Sequence, residues 1–139
     1  MKKFFLSVPK GTVASNLAAF VLRVGFGLLM IPYHGYAKLV EFNERKAQFM
    51  DFFGLGGTIS LSLAIFAEFF CSIFLILGLF TRLATIPLLV TAFVILSVHH
   101  WEFFGEHELG SAFAVGYLAI FLLGPGKFSL DYLLFKRSR

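Results

Sequence analysis

Four apolar stretches, each close to the length that crosses a bilayer, dominate this sequence of 139 residues. They are Asn16–His34, Thr58–Phe80, Leu83–Trp101 and Leu109–Gly124. A transmembrane helix needs about 17–25 mostly apolar residues, so each stretch predicts one span. Charged residues make up only 14% of the chain, whereas a soluble domain has about 25%. The sequence therefore predicts an all-α, four-transmembrane-helix bundle that forms a single domain over residues 1–139.

The segments outside the four spans predict two helices at the membrane surface. Gly35–Gly57 mixes charged residues with Phe and Met, which indicates a short interfacial helix between spans one and two. The tail Phe128–Phe135 follows a Gly-Pro-Gly turn and ends at Lys136 and Arg137. Such a pattern is typical of an amphipathic helix that anchors to lipid headgroups.

The distribution of basic residues predicts the orientation of the chain. One side of the membrane would carry eight of them and the other only three, since cytoplasmic loops are enriched in Lys and Arg. The larger group comprises Lys2, Lys3, Lys10, Arg82, Lys127, Lys136, Arg137 and Arg139. We therefore expect a multi-pass protein of the inner (plasma) membrane with both termini in the cytoplasm. The basic residues lie at helix ends, beside lipid, and do not indicate nucleic-acid binding.

Arg23 and Glu68 are single charges inside spans one and two. A charge at membrane depth costs several kcal/mol unless it is paired or hydrated. Arg23 lies 11 residues from His34 and Glu68 lies 10 residues from Thr58, which places both about 15–16 Å from the outer ends of their spans. We therefore expect the two side chains to meet near the bilayer centre. Such a pair either fixes the helix register or lines a functional polar pocket.

A second polar group is predicted at the outer rim. His34 ends span one, His99 and His100 end span three, and Glu108 opens span four. Lys38 follows His34 by four residues and shares its face if the helix continues. These side chains either form hydrogen bonds at the membrane boundary, or bind a small molecule such as a quinone, or hold a metal or haem. His34, His99 and His100 are the candidates for the last case, although no ligand spacing demands a metal.

Ordered motifs also carry a family resemblance. Leu22–Gly25 together with His34–Leu39 resembles the first span of the DoxX family. Glu68 with Leu77–Ala84 resembles its second span. Glu108 and Tyr117 with Gly124–Asp131 resemble its last span and the exit from that span. The resemblance covers the chain from Leu22 to Asp131. It implies a four-helix integral membrane protein with both termini inside.

The resemblance implies little about chemistry. Some members of the family are subunits associated with quinone-linked oxidation of sulfur compounds, and others are linked to membrane thiol and oxidative-stress complexes. Distantly similar four-helix thiol–quinone oxidoreductases rely on paired cysteines. This chain has only Cys71, so their redox chemistry is not carried over. The positions that match the family pattern are Arg23, His34, Lys38, Glu68 and Glu108.

These observations support three hypotheses about function. The first is an accessory protein or subunit of a larger membrane complex, with a quinone or similar ligand in a pocket lined by Arg23, His34 and Glu68. The second is a purely structural or assembly subunit, whose partners are other membrane proteins or further copies of the chain. The third is a redox protein that binds haem or a metal. Whether the chain is an enzyme is left open, and so is its cofactor, for which a quinone is the leading candidate.

Overall fold

The computed structural model describes residues 11–52, 54–98, 101, 103–105 and 108–135. Within these residues the chain is helical and has no strand, which confirms the all-α prediction. The helices, numbered in chain order, are α1 Val13–Val40, α2 Phe42–Arg45, α3 Gly57–Leu77, α4 Thr81–Val98, α5 Glu108–Leu123 and α6 Leu130–Phe135. The short helix predicted between the first two spans corresponds to α2, and the predicted tail helix corresponds to α6.

Three of the helices, α1, α3 and α4, are long and apolar enough to cross a membrane. Helix α5 is apolar but has only 16 residues. It is therefore about 24 Å long, somewhat short of a hydrocarbon core of about 30 Å. Three of the four predicted spans thus meet the requirements of length and composition, and the crossing by α5 stays a prediction.

Helix α1 extends further than the sequence predicts. It continues past His34 to Val40 through a π-helical segment, Ile31–Tyr36. Pro32 lies in this segment. Proline has no N–H and clashes with the carbonyl group four residues earlier in an α-helix, and a wider turn accommodates it. As a result Lys38 lies on the same helix as Arg23 and not in a connecting loop.

The core lies between α1, α3, α4 and α5. Its buried apolar side chains form one cluster that includes Met30, Leu75, Leu88, Leu96 and Tyr117. Helix α4 packs along α5, and α1 packs along α3. The α1–α3 contact determines which polar residues of these two helices lie at the same level.

Gly35 brings the α1 backbone directly against α3. A Cβ atom at this position would lie 2.7 Å from the carbonyl carbon and oxygen of Glu68, a distance that real structures essentially never show. We expect Gly35→Ala to destabilise the protein by about 2–3 kcal/mol, since the two backbones must separate. Gly25→Ala is the matched control, because a Cβ atom there meets nothing within 4 Å. The control should be neutral or stabilising by up to about 1 kcal/mol. Thermal unfolding in detergent measures both, and equal effects would contradict the close approach.

Candidate functional site

Glu68 and Lys38 form a buried ion pair. The Lys38 Nζ lies 2.6 Å from Oε1 and 2.5 Å from Oε2 of Glu68, so it contacts both carboxylate oxygens. The Glu68 side chain is 1% exposed, whereas that of Lys38 is 16% exposed. Glu68 lies in a second π-helical segment, Phe66–Cys71, within α3. π-Helical turns inside α-helices are frequently found at functional sites.

The expected pairing of Arg23 with Glu68 is wrong. The Arg23 guanidinium donates to two backbone carbonyl groups, that of Leu75 at 3.1 Å and that of Phe128 at 2.5 Å. The Arg23 side chain is fully buried, and its Nη1 and Cζ lie against Gly78 at the end of α3. Arg23 therefore joins α1 to the end of α3 and to the segment before α6.

Two physical reasons explain this difference. First, α1 ends at Val40 and not at His34, so that Gly35, rather than Arg23, lies level with Glu68. Arg23 is 12 residues before Gly35, which corresponds to about 18 Å along a helix. Second, long helical side chains point toward the N-terminus of their own helix. The guanidinium of Arg23 is therefore directed further from Glu68, whereas the ammonium of Lys38 is directed toward it.

The ion pair lines a cavity of about 210 Å³ between α3, α4 and the loop after α2. Most of its lining surface is apolar. The lining residues are Lys38, Phe49, Met50, Phe52, Ala64, Glu68, Thr91, Val94, Ile95 and Val98. The loop is attached to α3 by a hydrogen bond of 2.9 Å from the Phe52 N–H to the Ser60 hydroxyl oxygen.

The polar side chains of the cavity offer one free donor, on Lys38, and acceptors on Thr91 and Glu68, because each Glu68 oxygen keeps a lone pair beyond its contact with Lys38. An ammonium group has three N–H donors. Two of those of Lys38 bind the two oxygens of Glu68, which leaves one N–H for a ligand. The Thr91 hydroxyl donates to the Pro87 carbonyl at 3.0 Å, so that its oxygen can accept a hydrogen bond. The charges of Lys38 and Glu68 cancel. The cavity therefore suits a neutral head that carries a carbonyl oxygen on an apolar body.

His34 belongs to the same polar group but does not line the cavity. Its ring lies edge-on to Phe113, with 5.9 Å between the ring centroids. It interacts electrostatically with both Glu68 and Lys38. The sequence places His34 and Lys38 on one face if the helix continues past His34. Helix α1 does continue past this residue, so that the condition is met.

The other predicted site residues lie elsewhere. Glu108 begins α5 and is exposed at the mouth of a separate groove, which shares no residue with the Lys38–Glu68 cavity. His99 and His100 lie outside the described residues. A metal or haem site that combines either of them with His34 stays a prediction, which an absorption spectrum and elemental analysis of the purified protein would test.

Asp131 organises a second polar cluster, which the sequence does not predict. Its carboxylate accepts hydrogen bonds from the Phe80 N–H at 2.7 Å and the Thr81 N–H at 2.9 Å. Its own N–H donates to the Gly78 carbonyl at 2.9 Å. It also interacts electrostatically with Arg23 and Arg82. Asp131 thereby caps the start of α4 from a distant part of the chain, as a local N-cap residue would.

Arg82 completes this second polar cluster. Its Nε donates to the Phe121 carbonyl at 3.0 Å, and its guanidinium lies against Gly124 just beyond α5. Arg23 and Arg82 thus each bind a carbonyl group in the last turn of a neighbouring helix, where the helix dipole favours a cation. The only signal in the sequence was the presence of Arg82 and Asp131 in the motifs that resemble a known family.

The long apolar helices define a helical integral membrane protein, and the buried charges described above are bound by an opposite charge or by backbone groups. The DoxX family model matches residues 18–101, which is more than half of the chain, and the chain belongs to the DoxX family. This confirms the resemblance found in the sequence. No curated protein and no solved structure matches the chain.

Proposed function

We propose that this DoxX protein is an accessory subunit of a redox complex in the inner membrane and binds a quinone-like ligand beside Lys38 and Glu68. In this proposal residues 1–139 form one domain with four spans, α5 being the fourth, and both termini are cytoplasmic. The surplus of basic residues on the side of the termini supports this orientation.

The observation that carries the proposal is a buried ion pair that opens into an apolar cavity. An ion pair inside a membrane protein marks a functional site unless it only holds helices together. The cavity of about 210 Å³ has room for a single ring. The free N–H of Lys38 would donate to a quinone carbonyl oxygen, and Thr91 Oγ1 would accept from the hydroxyl group of the reduced form. His34 would contribute through its electrostatic interaction with the pair.

In this proposal Arg23 has a structural role. Its guanidinium binds two backbone carbonyl groups and lines neither the cavity nor the groove beside Glu108. His99 and Glu108 are not needed for the proposed ligand contact and remain separate candidates.

A short-chain benzoquinone tests the proposal directly. We expect it to raise the unfolding temperature of the purified protein in detergent. We expect Lys38→Gln to reduce the shift strongly, because the glutamine side chain is uncharged and one bond shorter, so that its N–H is a weaker donor to the carbonyl oxygen. Lys46→Gln is the matched control, since Lys46 is an exposed lysine of the same region that donates to Asn43. Absence of any quinone-dependent shift in the parent protein, or an equal loss in both variants, would refute quinone binding in this cavity.

The alternative is a purely structural or assembly subunit. The double hydrogen bond between Lys38 and Glu68 favours it, because such a contact also fixes the register of α1 against α3. The exchanged variant Lys38→Glu with Glu68→Lys separates the two functions. Restored folding with restored activity of the host complex supports the structural role, whereas restored folding without activity supports ligand binding.

A further inference from the structure

We propose that the groove between α1 and α5 binds one acyl chain of an amine-bearing zwitterionic phospholipid, with the headgroup amine at Glu108. This inference goes beyond the proposed function and uses neither Lys38 nor Glu68. It rests on the proposed function in one respect, the location of α5 within the bilayer.

The shape of the groove fits a flexible apolar chain. It has a volume of about 650 Å³ and is partly open to the surroundings. Leu22 and Phe26 of α1 form one wall, and Ala112 and Ala119 of α5 form the other. The Phe26 ring lies directly on Gly116, where a Cβ atom would overlap it. Gly116 therefore makes room for the Phe26 ring, and a shallow apolar channel remains beside this contact.

The length of the groove matches one leaflet. It extends along α5 from Glu108 to Ala119, a separation of 11 residues, which corresponds to about 16 Å. Half of a hydrocarbon core of about 30 Å is about 15 Å. A lipid whose acyl chain follows the groove to the bilayer centre would therefore have its headgroup at Glu108.

Charge complementarity favours an amine at this end. Glu108 is exposed at the mouth of the groove and forms no ion pair with any described residue. An ethanolamine headgroup carries an ammonium with three N–H donors for this carboxylate. The choline headgroup has the same charge but no N–H, and an anionic headgroup would be repelled. The groove should therefore bind phosphatidylethanolamine in preference to phosphatidylcholine or phosphatidylglycerol.

Native mass spectrometry of the delipidated protein tests this preference. The protein would be titrated with an equimolar mixture of the three lipids, all with the same acyl chains. We expect phosphatidylethanolamine to bind about two- to five-fold more tightly than phosphatidylcholine, as an exposed ion pair allows. Glu108→Gln should remove this preference, and Ala112→Phe should fill the groove and reduce binding to the background level. Val90→Phe is the matched control, since Val90 is an exposed residue of α4 outside the groove.

Three results would overturn the proposal. The first is that phosphatidylethanolamine and phosphatidylcholine bind equally well. The second is that the preference for phosphatidylethanolamine persists in Glu108→Gln. The third is that the protein binds a second copy of the chain instead of lipid and that Ala112→Phe releases this copy. The quinone experiment with Lys38→Gln uses a different cavity, so that failure of one proposal leaves the result of the other interpretable.

Discussion

Replacement of Lys38 by methionine is expected to destabilise the protein by about 3–5 kcal/mol. Methionine preserves most of the apolar contact of the lysine side chain but leaves the Glu68 carboxylate, which is 1% exposed, without its partner. An uncompensated charge in a buried environment is far more costly than the loss of a favourable contact alone. Equilibrium unfolding in mixed micelles, followed by circular dichroism, measures the loss.

The reciprocal change, Glu68→Gln, should cost less. Lys38 is 16% exposed and borders the cavity, so that its ammonium group can be hydrated or turn outward after the carboxylate is neutralised. The double variant Lys38→Met with Glu68→Gln should recover part of the stability that Lys38→Met loses, since no charge remains buried. If Lys38→Met unfolds under the same conditions as the parent protein, Lys38 does not compensate Glu68.

Substitution of Asp131 by alanine is expected to produce a loss of similar size, about 3–5 kcal/mol. The Phe80 and Thr81 N–H groups would lose their acceptor, and Arg23 and Arg82 would lose their favourable electrostatic interaction with the carboxylate. Phe80 has a positive φ of 47°, a conformation that a bulky residue adopts only when its surroundings hold it. The segment that joins α3 to α4 should therefore lose its order together with the docking of α6.

Two variants provide the comparison for Asp131→Ala. Asp131→Asn retains one acceptor oxygen without the charge and should lose about half as much stability. Asp51→Ala removes another aspartate that accepts a backbone hydrogen bond, from Gly56 at 2.8 Å, but on the exposed loop after α2, and it should have little effect. Limited proteolysis between α3 and α4 provides a local measurement. An effect of Asp131→Ala no larger than that of Asp51→Ala would contradict the role of Asp131 as a cap.

The helices could be predicted from sequence because apolar composition over a bilayer length is a strong signal. The partner of Glu68 could not be predicted in the same way. Pro32 and Gly35 disfavour a continuing helix by the usual rules. The sequence therefore places Lys38 on the face of His34 only if the helix continues past His34. The π-helical segment Ile31–Tyr36 extends α1 to Val40 and brings Lys38 to Glu68.

The second polar cluster, around Asp131, could not be predicted from the sequence for a different reason. Asp131 is 51 residues from Phe80, and no local pattern indicates that a carboxylate in the tail caps the start of α4. Capping rules apply to residues adjacent to a helix, whereas this cap depends on the packing of the whole bundle. The sequence therefore predicts a tail on lipid headgroups, whereas α6 directs a buried Asp131 into the bundle.

A double-mutant cycle on Glu68 tests the central claim, that Glu68 pairs with Lys38 beside the cavity and not with Arg23. The free energy of unfolding would be measured for Glu68→Gln, Lys38→Met, Arg23→Met and the two double variants that combine Glu68→Gln with each of the others. We predict a coupling of about 1.5–3 kcal/mol between Glu68 and Lys38, and one below about 0.5 kcal/mol between Glu68 and Arg23. The opposite order of the two coupling energies would contradict this account of the site.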